Sequence, residues 1–410
     1  MSGDSQDLAA SVRESWARRF RAELLDNILP FWMRHAVDHV NGGFYGTVTN
    51  DLRVLNDVPR SAVVCARILW TYATAQRLFP CDAYLQMARH AYDYLTHRFW
   101  DQEHGGVYWL IDAQGQPVND RKHAYAQAFT IYALAEFYRA TREPESLRLA
   151  QQLFGLLEAH THDRVHGGNI EGCGRAWDQL ADMRLGDQEP NCRKSMNTML
   201  HVMEAYTNLA RVWDAPTLRT ALDGILRVHL DHIIDAQSGH LRLFFDDDWR
   251  ALSGADTYGH EISYGHDIEA SWLLVEAAEV LGDKELLRRS REAAVKIAET
   301  VLTEGQYSDG RLLAAPAGKD GADVEWWVPA EAVVGFYNAF QLSSQPRFAD
   351  ASRSNWDFIE AKLVDRVHGD WFKRLDRSGI PVATSPKVGP WECPYHHSRC
   401  CFEMLARLGA

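Results

Sequence analysis

The chain has 410 residues, of which 46% are hydrophobic and 24% are charged, a balance typical of a folded globular protein. Its 43 basic and 56 acidic residues leave a net charge of −13, which repels phosphate backbones, so nucleic acid is not an expected partner. No stretch approaches the ~20 apolar residues of a membrane helix, and the N-terminus lacks the pattern of a signal peptide. The seven cysteines form no CxxC pair, and their odd number fits a reduced, cytoplasmic interior.

Two kinds of element alternate along the chain. Glycine-centred patches with strand or turn character occur at 41–51, 104–120, 166–174, 238–250, 308–318 and 368–382. Segments with apolar residues at helical spacing lie around and between them. These predicted helices are 8–36, 62–79, 84–100, 125–141, 145–162, 196–213, 216–234, 267–281, 284–302, 328–342, 347–363 and 397–408.

The patches repeat at an almost constant interval. Their marker glycines are separated by 63, 62, 72, 71 and 59 residues, and they are Gly42, Gly105, Gly167, Gly239, Gly310 and Gly369. Such self-similarity indicates a repeat architecture with two helices per unit. Because the first and last helices each lack a partner nearby in the chain, closure is favoured over an open solenoid scaffold. We therefore predict an all-α (α/α)6 barrel of twelve helices, one domain over residues 1–410, with short β-hairpins and loops at its rim.

Unusual polar side chains follow the same period. One occurs near the start of the first helix of each repeat, at intervals of 58, 76, 65, 61 and 69 residues. A closed ring brings such positions together at one end of its axis, where they would line a pocket for a small molecule. Helix N-termini around that pocket favour bound oxyanions. The six residues are Arg67, Tyr125, His201, His266, Trp327 and His396.

Histidine dominates this set. Two imidazoles on opposite faces of a substrate are suited to removing a proton from a weakly acidic carbon and returning one from the other side. Arg67 would stabilise the enediolate formed in between. Glu269 follows His266 by three residues, so it lies on the same helix face and is expected to orient that imidazole or hold its charge.

Other chemistries have weaker support in the sequence. No HExxH motif or Cys/His cluster indicates zinc, and no GxGxxG or GxxxxGK[ST] loop indicates a nucleotide, so neither metal nor cofactor is expected. Glycoside hydrolysis by paired carboxylates is the main rival. Its candidates are Glu269, Glu325, Glu331 and Asp182, but a hydrolase has no need of the histidines.

Eight motifs resemble the N-acylglucosamine 2-epimerase superfamily, and within it most closely the cellobiose 2-epimerases. The most specific are SYGHDIEASWLLVEAAE at 263–279 and GPWECPYHHSRCCFEML at 389–405. The resemblance runs from near residue 40 to the C-terminus. It implies an (α/α)6 barrel and epimerisation at carbon 2 of a reducing-end sugar, without metal or cofactor.

The resemblance also implies roles for individual residues. His266 and His396 would be the acid/base pair, Arg67 would bind the carbonyl or enediolate oxygen, and His201 would assist ring opening. Trp391 would stack on a second sugar. The reducing-end subsite would be lined by Tyr125, Asn197, Glu269, Trp327 and Glu331.

One position departs from the family pattern, and several alternatives stay open. An Asn or small polar residue is expected where the chain has His397. The substrate would be a β-1,4-linked disaccharide such as cellobiose, with lactose as a second one. A mannose 2-epimerase, a monosaccharide isomerase and a non-catalytic interaction protein are the alternatives. The chain would be a monomer or a homodimer.

Overall fold

The computed structural model describes residues 10–257, 261–316 and 323–410. Residues 8–9 of the first predicted helix and residues 317–318 of the fifth glycine patch lie outside this part of the chain, as does most of the N-terminal stretch compared with a signal peptide. Every other predicted helix and patch falls within it.

Helices dominate the described residues. The first rod consists of α1 (Ala10–Ala22), a π-helical segment (Glu23–Ile28) and α2 (Leu29–His35), which follow one another without a break. The later helices in the described residues are at most 22 residues long. They are α3 (Ala62–Leu78), α4 (Asp82–Tyr94), α5 (Ala124–Thr141), α6 (Pro144–His160), α7 (Met196–Ala210), α8 (Pro216–Val228), α9 (Tyr264–Leu281), α10 (Lys284–Gly305), α11 (Trp327–Ser343), α12 (Pro346–Phe358) and α13 (Tyr395–Leu408).

The helices form two concentric rings. In the inner ring α3 packs on α5, α5 on α7, α7 on α9, α9 on α11, and α11 on α13, and α13 returns to α3. Each inner helix is backed by an outer one, in the pairs α3 with α4, α5 with α6, α7 with α8, α9 with α10, and α11 with α12. The chain's first helix, α1, backs its last, α13. The predicted (α/α)6 barrel is therefore confirmed, and the two chain ends complete its last pair.

Sequence character separates the two rings. The inner helix α5 buries every residue from Ala124 to Phe137, so it is enclosed on all sides. The outer helix α8 buries only one stripe, with Leu218, Leu222 and Ile225 at the four- and three-residue spacing of a single helical face. Outer helices therefore present one apolar face inward, whereas inner helices must be apolar almost throughout.

Short strands lie at one end of the barrel. Several lie directly before inner helices: β3 before α3, β6 before α5, β8 before α7 and β10 before α11. Each of these four pairs antiparallel with a strand further along the chain, in the pairs β3–β4, β6–β7, β8–β9 and β10–β11. The strands are β1 (Thr47–Val48), β2 (Val54–Leu55), β3 (Arg60–Ser61), β4 (Leu110–Ile111), β5 (Pro117–Asn119), β6 (Lys122–His123), β7 (Gly172–Cys173), β8 (Lys194–Ser195), β9 (Phe244–Phe245), β10 (Val324–Glu325) and β11 (Arg374–Leu375).

A repeated turn explains the marker glycines. All six have positive φ, between +72° and +94°, a conformation that glycine adopts without a steric penalty. In five repeats the glycine N–H donates to the carbonyl of an aspartate four residues earlier. The same aspartate's Oδ1 accepts from the N–H groups two and three residues later. These aspartates are Asp38, Asp101, Asp163, Asp235 and Asp365; in the remaining repeat the carbonyl belongs to Tyr307, three residues before Gly310.

Two further features bear on the sequence expectations. None of the helices in the described residues combines the length and the apolar character that crossing a membrane requires. All seven cysteines are unpaired, and all except Cys81 are buried.

Candidate active site

A cleft of about 500 Å³ opens at the end of the barrel where the inner helices begin. Its floor is formed by polar side chains from all six inner helices, as the shared period predicted. The predicted site residues that line it are Arg67, Tyr125, Asn197, His201, His266, Glu269, Trp327, Trp391 and His396. The tenth, Glu331, is not among the lining residues; it lies buried behind His396.

Other lining residues were missed by sequence reasoning. Most lie in the loop at 185–189 and in the segment 384–392 before α13, and three lie beside or on strands β10 and β11, away from the helix starts that the 65-residue period marks. Glu325 was considered only for hydrolysis, and its carboxylate accepts from the indole N–H of Trp327 at 2.6 Å. The missed residues are Leu185, Gly186, Glu189, Trp326, Lys373, Arg374, Thr384, Ser385, Pro386 and Glu392.

His266 is held by a serine at the start of its helix. It is the third residue of α9, and the N-cap residue Ser263 places its hydroxyl 2.7 Å from the imidazole Nδ1. The expectation that Glu269 orients this ring is wrong, because that carboxylate is engaged by Arg399 instead. Burial, with the nearby charges of His201 and Arg67, lowers the pKa of His266 to about 3. The ring is therefore neutral at neutral pH.

His396 faces the same cleft from α13. Its Nδ1 lies 2.7 Å from Oε1 of Glu331. Burial, together with Arg67 and Arg399, lowers its pKa well below the usual value, so this imidazole is neutral too. Trp327 lies between the two imidazoles, with its ring centroid 4.8 Å from that of His266 and 5.5 Å from that of His396.

His201 has a carboxylate partner of its own. Its Nδ1 lies 2.9 Å from Oε2 of Glu204, one turn further along α7. Although burial opposes ionisation, the charges of Arg399 and His201 hold the pKa of Glu204 to about 2. Glu204 is therefore a carboxylate that contacts Nδ1 of His201. The rings of His201 and Tyr125 are nearly perpendicular, with their centroids 5.0 Å apart.

Arg67 brings a positive charge into the cleft without a carboxylate to neutralise it. It donates to the hydroxyl of Tyr125 at 2.8 Å and approaches Sγ of Cys393 at 3.8 Å. Its guanidinium lies 4.2 Å from the ring centroid of Phe129 and 5.0 Å from that of Tyr395. No salt bridge to Arg67 occurs within the described residues, so its charge is free for a substrate oxyanion.

A buried arginine organises the carboxylates under the cleft. Arg399 donates to Glu204 and Glu269, and to Glu331 at 2.6 Å. Burial and the neighbouring charge of Glu331 raise the pKa of Glu269 to about 7. Ligand atoms of Glu269, Glu331 and His396 come within 4.8 Å of one another, a spacing that a metal ion could use. Because the guanidinium already donates to both carboxylates, this group fits an arginine site better than an ion site.

His397 and Asp182 lie away from this chemistry. His397 is fully buried, with Nε2 2.7 Å from Oδ1 of Asp370, and it does not line the cleft. Asp182, a candidate for hydrolysis, is exposed and paired with Arg184 at 2.7 Å. Of the carboxylates considered for hydrolysis, Asp182 is therefore at the surface, and Glu269 and Glu331 accept hydrogen bonds from Arg399.

Two cleft residues have polar or flat faces available for a ligand. Asn197 has a buried amide oxygen without a hydrogen-bond partner. Trp391 is half-buried at the mouth, with ring centroids of Tyr125 and Trp109 each 5.9 Å away. A sugar could meet the first with a hydroxyl and the second with its apolar face.

Comparison with known proteins agrees with this architecture. Residues 42–400 match the family described as N-acylglucosamine 2-epimerase (GlcNAc 2-epimerase). A cellobiose 2-epimerase of Bacteroides fragilis is 42% identical, over 95% of this chain and 98% of that protein. The solved structure of cellobiose 2-epimerase from Bacillus thermoamylovorans B4167 has a TM-score of 0.90 and 37% identity, covering 96% of this chain and 100% of that one. A D-mannose isomerase structure, 18% identical with a TM-score of 0.78 over 99% of both chains, shares the fold.

Fold, site and comparisons together define a sugar-modifying enzyme of the isomerase class. The chain belongs to the N-acylglucosamine 2-epimerase family. The resemblance found in its motifs, including the likeness to the cellobiose 2-epimerases, is confirmed.

Proposed function

We propose that this protein interconverts glucose and mannose at the reducing end of a β-1,4-linked disaccharide. Cellobiose would become glucosyl-mannose, and lactose would become epilactose. The named relatives at 42% and 36% identity support this substrate class. The reaction removes the proton on carbon 2 and returns one to the opposite face through a cis-enediolate.

The observation that carries the proposal is the pair of neutral imidazoles in one cleft. Nδ1 of His266 meets Ser263, and Nδ1 of His396 meets Glu331. Nε2 of each ring has no hydrogen-bond partner within the described residues, so it is the atom available to the substrate. Two such bases in one cleft suit abstraction from one face and return to the other.

The steps follow from the residues present. His201, with its charged partner Glu204, transfers a proton at the ring oxygen or first hydroxyl as the sugar ring opens. One imidazole then takes the carbon 2 proton, and the electron pair of that bond passes to the carbonyl oxygen beside Arg67. The intermediate turns about a carbon–carbon bond. The other imidazole, which takes up a proton from solvent once the negative enediolate is present, delivers that proton to the opposite face, and the first imidazole releases its proton to solvent.

The enediolate itself raises the proton affinity of the two bases. Burial and the charge of Arg67 disfavour the imidazolium form of both rings. A negative charge arriving among Arg67, His266 and His396 favours the protonated ring and offsets that penalty. The imidazole therefore becomes a stronger base as the transition state develops.

The remaining cleft residues hold the sugar. Asn197 offers an unpaired amide oxygen to a hydroxyl, and Trp391 at the mouth offers an aromatic face to the second sugar. Tyr125, Glu269 and Trp327 complete the reducing-end subsite. Glu331 acts through His396, because it lies behind that ring rather than in the cleft.

Proton NMR with cellobiose in deuterated buffer containing EDTA tests the activity. We expect signals of glucosyl-mannose, with deuterium entering at carbon 2. Conversion of free mannose without conversion of cellobiose would assign the enzyme to monosaccharides. Release of free glucose would instead indicate a hydrolase and overturn the proposal.

Variants then test the assigned bases. His266→Ala and His396→Ala should each abolish deuterium exchange while the circular dichroism spectrum stays unchanged. The exposed His368→Ala serves as the matched control and should exchange at the wild-type rate. Full activity in either cleft variant would remove that residue from the mechanism.

The wider setting of the enzyme belongs to the same proposal. We place the reaction in one catalytic domain, residues 1–410, which is a monomer or homodimer in the cytoplasm. Unpaired cysteines support a reducing compartment. No metal or cofactor is assigned a step in the reaction.

A further inference from the structure

Arg399 joins residues from four inner helices beneath the cleft. From α13 it donates to Glu204 on α7, Glu269 on α9 and Glu331 on α11. Only 1% of its surface is exposed. An arginine at this depth has no water to solvate it, so the carboxylates determine its energy and it determines theirs.

Two of these carboxylates each hold an imidazole of the cleft. Glu204 accepts from His201 through Oε2 and from Arg399 through Oε1. Glu331 uses the single atom Oε1 for both His396 and Arg399. Both oxygens of Glu204 and Oε1 of Glu331 accept from donors, so Arg399 favours the carboxylate form of both partners, although burial raises the pKa of Glu331.

The charges in this group do not balance. Three buried glutamates contact the single guanidinium of Arg399. The nearby Arg67 contacts none of them, so it does not neutralise their charge. Two unpaired negative charges in a dry interior are costly, so the group has to bind protons. A proton bound at one carboxylate weakens its interaction with the Arg399 guanidinium, which then interacts more strongly with the other two.

We propose that Arg399 is a positioning residue that couples the two imidazole–carboxylate pairs His201–Glu204 and His396–Glu331. Because one guanidinium serves both carboxylates, a change of charge in one pair alters the proton affinity of the other. The coupling matches the need of a reaction in which ring opening at His201 precedes proton transfer at His396. That last link rests on the proposed epimerase function, whereas the coupling itself does not.

Other charged groups face these pairs and set the background. His201 lies near Tyr125 on α5 and Arg67 on α3. His396 lies near Arg67, near His266 on α9, and 3.9 Å from Glu269 Oε1. Tyr395 on α13 also contacts Glu204. None of them bridges both carboxylates, so the coupling is assigned to Arg399.

The test is a double-mutant cycle read by NMR without sugar. The Nδ1–H signal of His396 is followed at fixed pH in the full-length protein. Glu204→Gln should move this signal in the wild-type background, although Glu204 makes no hydrogen bond to His396. In the Arg399→Met background the same substitution should move it less than half as far, because only the direct charge interaction between Glu204 and Glu331 remains. Equal movement in both backgrounds, or none in the first, would overturn the coupling.

A titration gives an independent reading. Removing the guanidinium should raise the pH at which the His396–Glu331 pair takes up its proton by about one unit, since a nearby positive charge is lost. Arg407→Met is the matched control, because Arg407 lies two turns further along α13 and bonds Asn338 and Gln341 instead. It should leave the midpoint unchanged, and an unmoved midpoint in Arg399→Met would reduce Arg399 to a structural residue.

A third variant guards against loss of fold. Arg399→Lys keeps the charge but cannot contact three carboxylates in the same geometry. If Arg399→Met does not fold by circular dichroism, the cycle is run on Arg399→Lys, where Glu204→Gln should move the signal less than half as far as in the wild type. In the epimerase assay Arg399→Lys should lower kcat at least about 30-fold with KM within about threefold. An inactive wild type would refute the proposed function while leaving the sugar-free results standing.

Discussion

At the scale of single residues, the partner of Nδ1 distinguishes the three cleft histidines. His266 meets a neutral hydroxyl, whereas His201 and His396 meet carboxylates. A carboxylate partner stabilises imidazolium, and a hydroxyl does so much less. The three rings share a position in the repeat but differ in the proton chemistry that they support.

His397 provides a test of what lies beside the site. His397→Asn should lower the free energy of unfolding by about 2 kcal/mol, because the shorter side chain leaves a buried oxygen of Asp370 without this donor. Carbon 2 exchange should stay within about threefold of wild type, since the ring does not line the cleft. Urea unfolding and the deuterium exchange assay measure the two quantities.

The longer amide serves as the control for that substitution. His397→Gln can carry an N–H towards Asp370 from nearly the position of Nε2, so it should recover most of the lost stability. A large fall in exchange with unchanged stability would instead show that His397 reaches the substrate.

The cleft could be predicted from sequence only where the repeat acts. The shared period located six of the ten site residues, because equal steps around a closed ring converge on its axis, and the family resemblance supplied Asn197, Glu331 and Trp391. It could not assign partners across helices, since Glu331 on α11 meets His396 on α13 only when the neighbouring helices are in place. The lining loops that carry Glu189 and Ser385 follow no period and therefore gave no signal.

At the scale of elements, five of the six turns show how an aspartate and a glycine stabilise a repeat. The glycine supplies a positive φ, and the aspartate satisfies N–H groups that the turn leaves unpaired. In two turns the second carboxylate oxygen meets a buried lysine, Asp101 with Lys122 at 3.0 Å and Asp163 with Lys194 at 2.7 Å. Lys122 lies on β6 and Lys194 on β8, each directly before an inner helix, so these turns connect an outer helix to the rim.

Two glycines predict opposite effects of the same substitution. Gly167→Ala should destabilise the protein by about 1–2 kcal/mol, because its φ of +74° disfavours a side chain while a Cβ would meet only Val228, at 3.7 Å. Gly155→Ala, inside α6 with nothing within 4 Å, should stabilise it by about 0.5–1 kcal/mol. Thermal and urea unfolding of both variants provide the comparison, and effects of equal sign would contradict the role given to the turn.

Helix boundaries show where local patterns mislead. The segment predicted at 267–281 begins three residues earlier, at Tyr264. Gly265 interrupts the apolar pattern, but it lies within the helix, and glycine is needed there because a Cβ would lie 2.5 Å from Trp327. The pairing of the short rim strands could not be predicted either, since two-residue strands carry almost no alternation.

At the scale of the whole molecule, closure brings the ends of the chain to the site. The last helix, α13, carries His396 and Arg399 and packs against both α3 and α11. The first helix, α1, packs on α13 from outside, and its Phe20 also meets Trp356 of α12, with ring centroids 4.2 Å apart. Activity therefore depends on the complete ring, and stability is shared around it.

Stability of the ring should also depend on pH through histidines far from the cleft. His229 is fully buried in α8's π-helical continuation, where burial lowers its pKa to about 4. Its Nδ1 lies 2.8 Å from the carbonyl of Ile225, while Nε2 has no partner. The ring is neutral when folded, but in the unfolded chain it binds a proton near its ordinary pKa of 6.5.

His229 therefore contributes stability above pH 6.5 that is lost as the pH falls towards 4. Each pH unit in that range changes the free energy of unfolding by at most ~1.4 kcal/mol per group. Between pH 7.0 and 5.5 the wild type should lose about 1 kcal/mol more than His229→Asn, whose amide can still donate to Ile225. Urea unfolding at both pH values measures the difference, with the exposed His39→Asn as control. If the wild type and His229→Asn lose equal stability on acidification, His229 binds its proton in the folded state and the barrel tolerates a buried charge there.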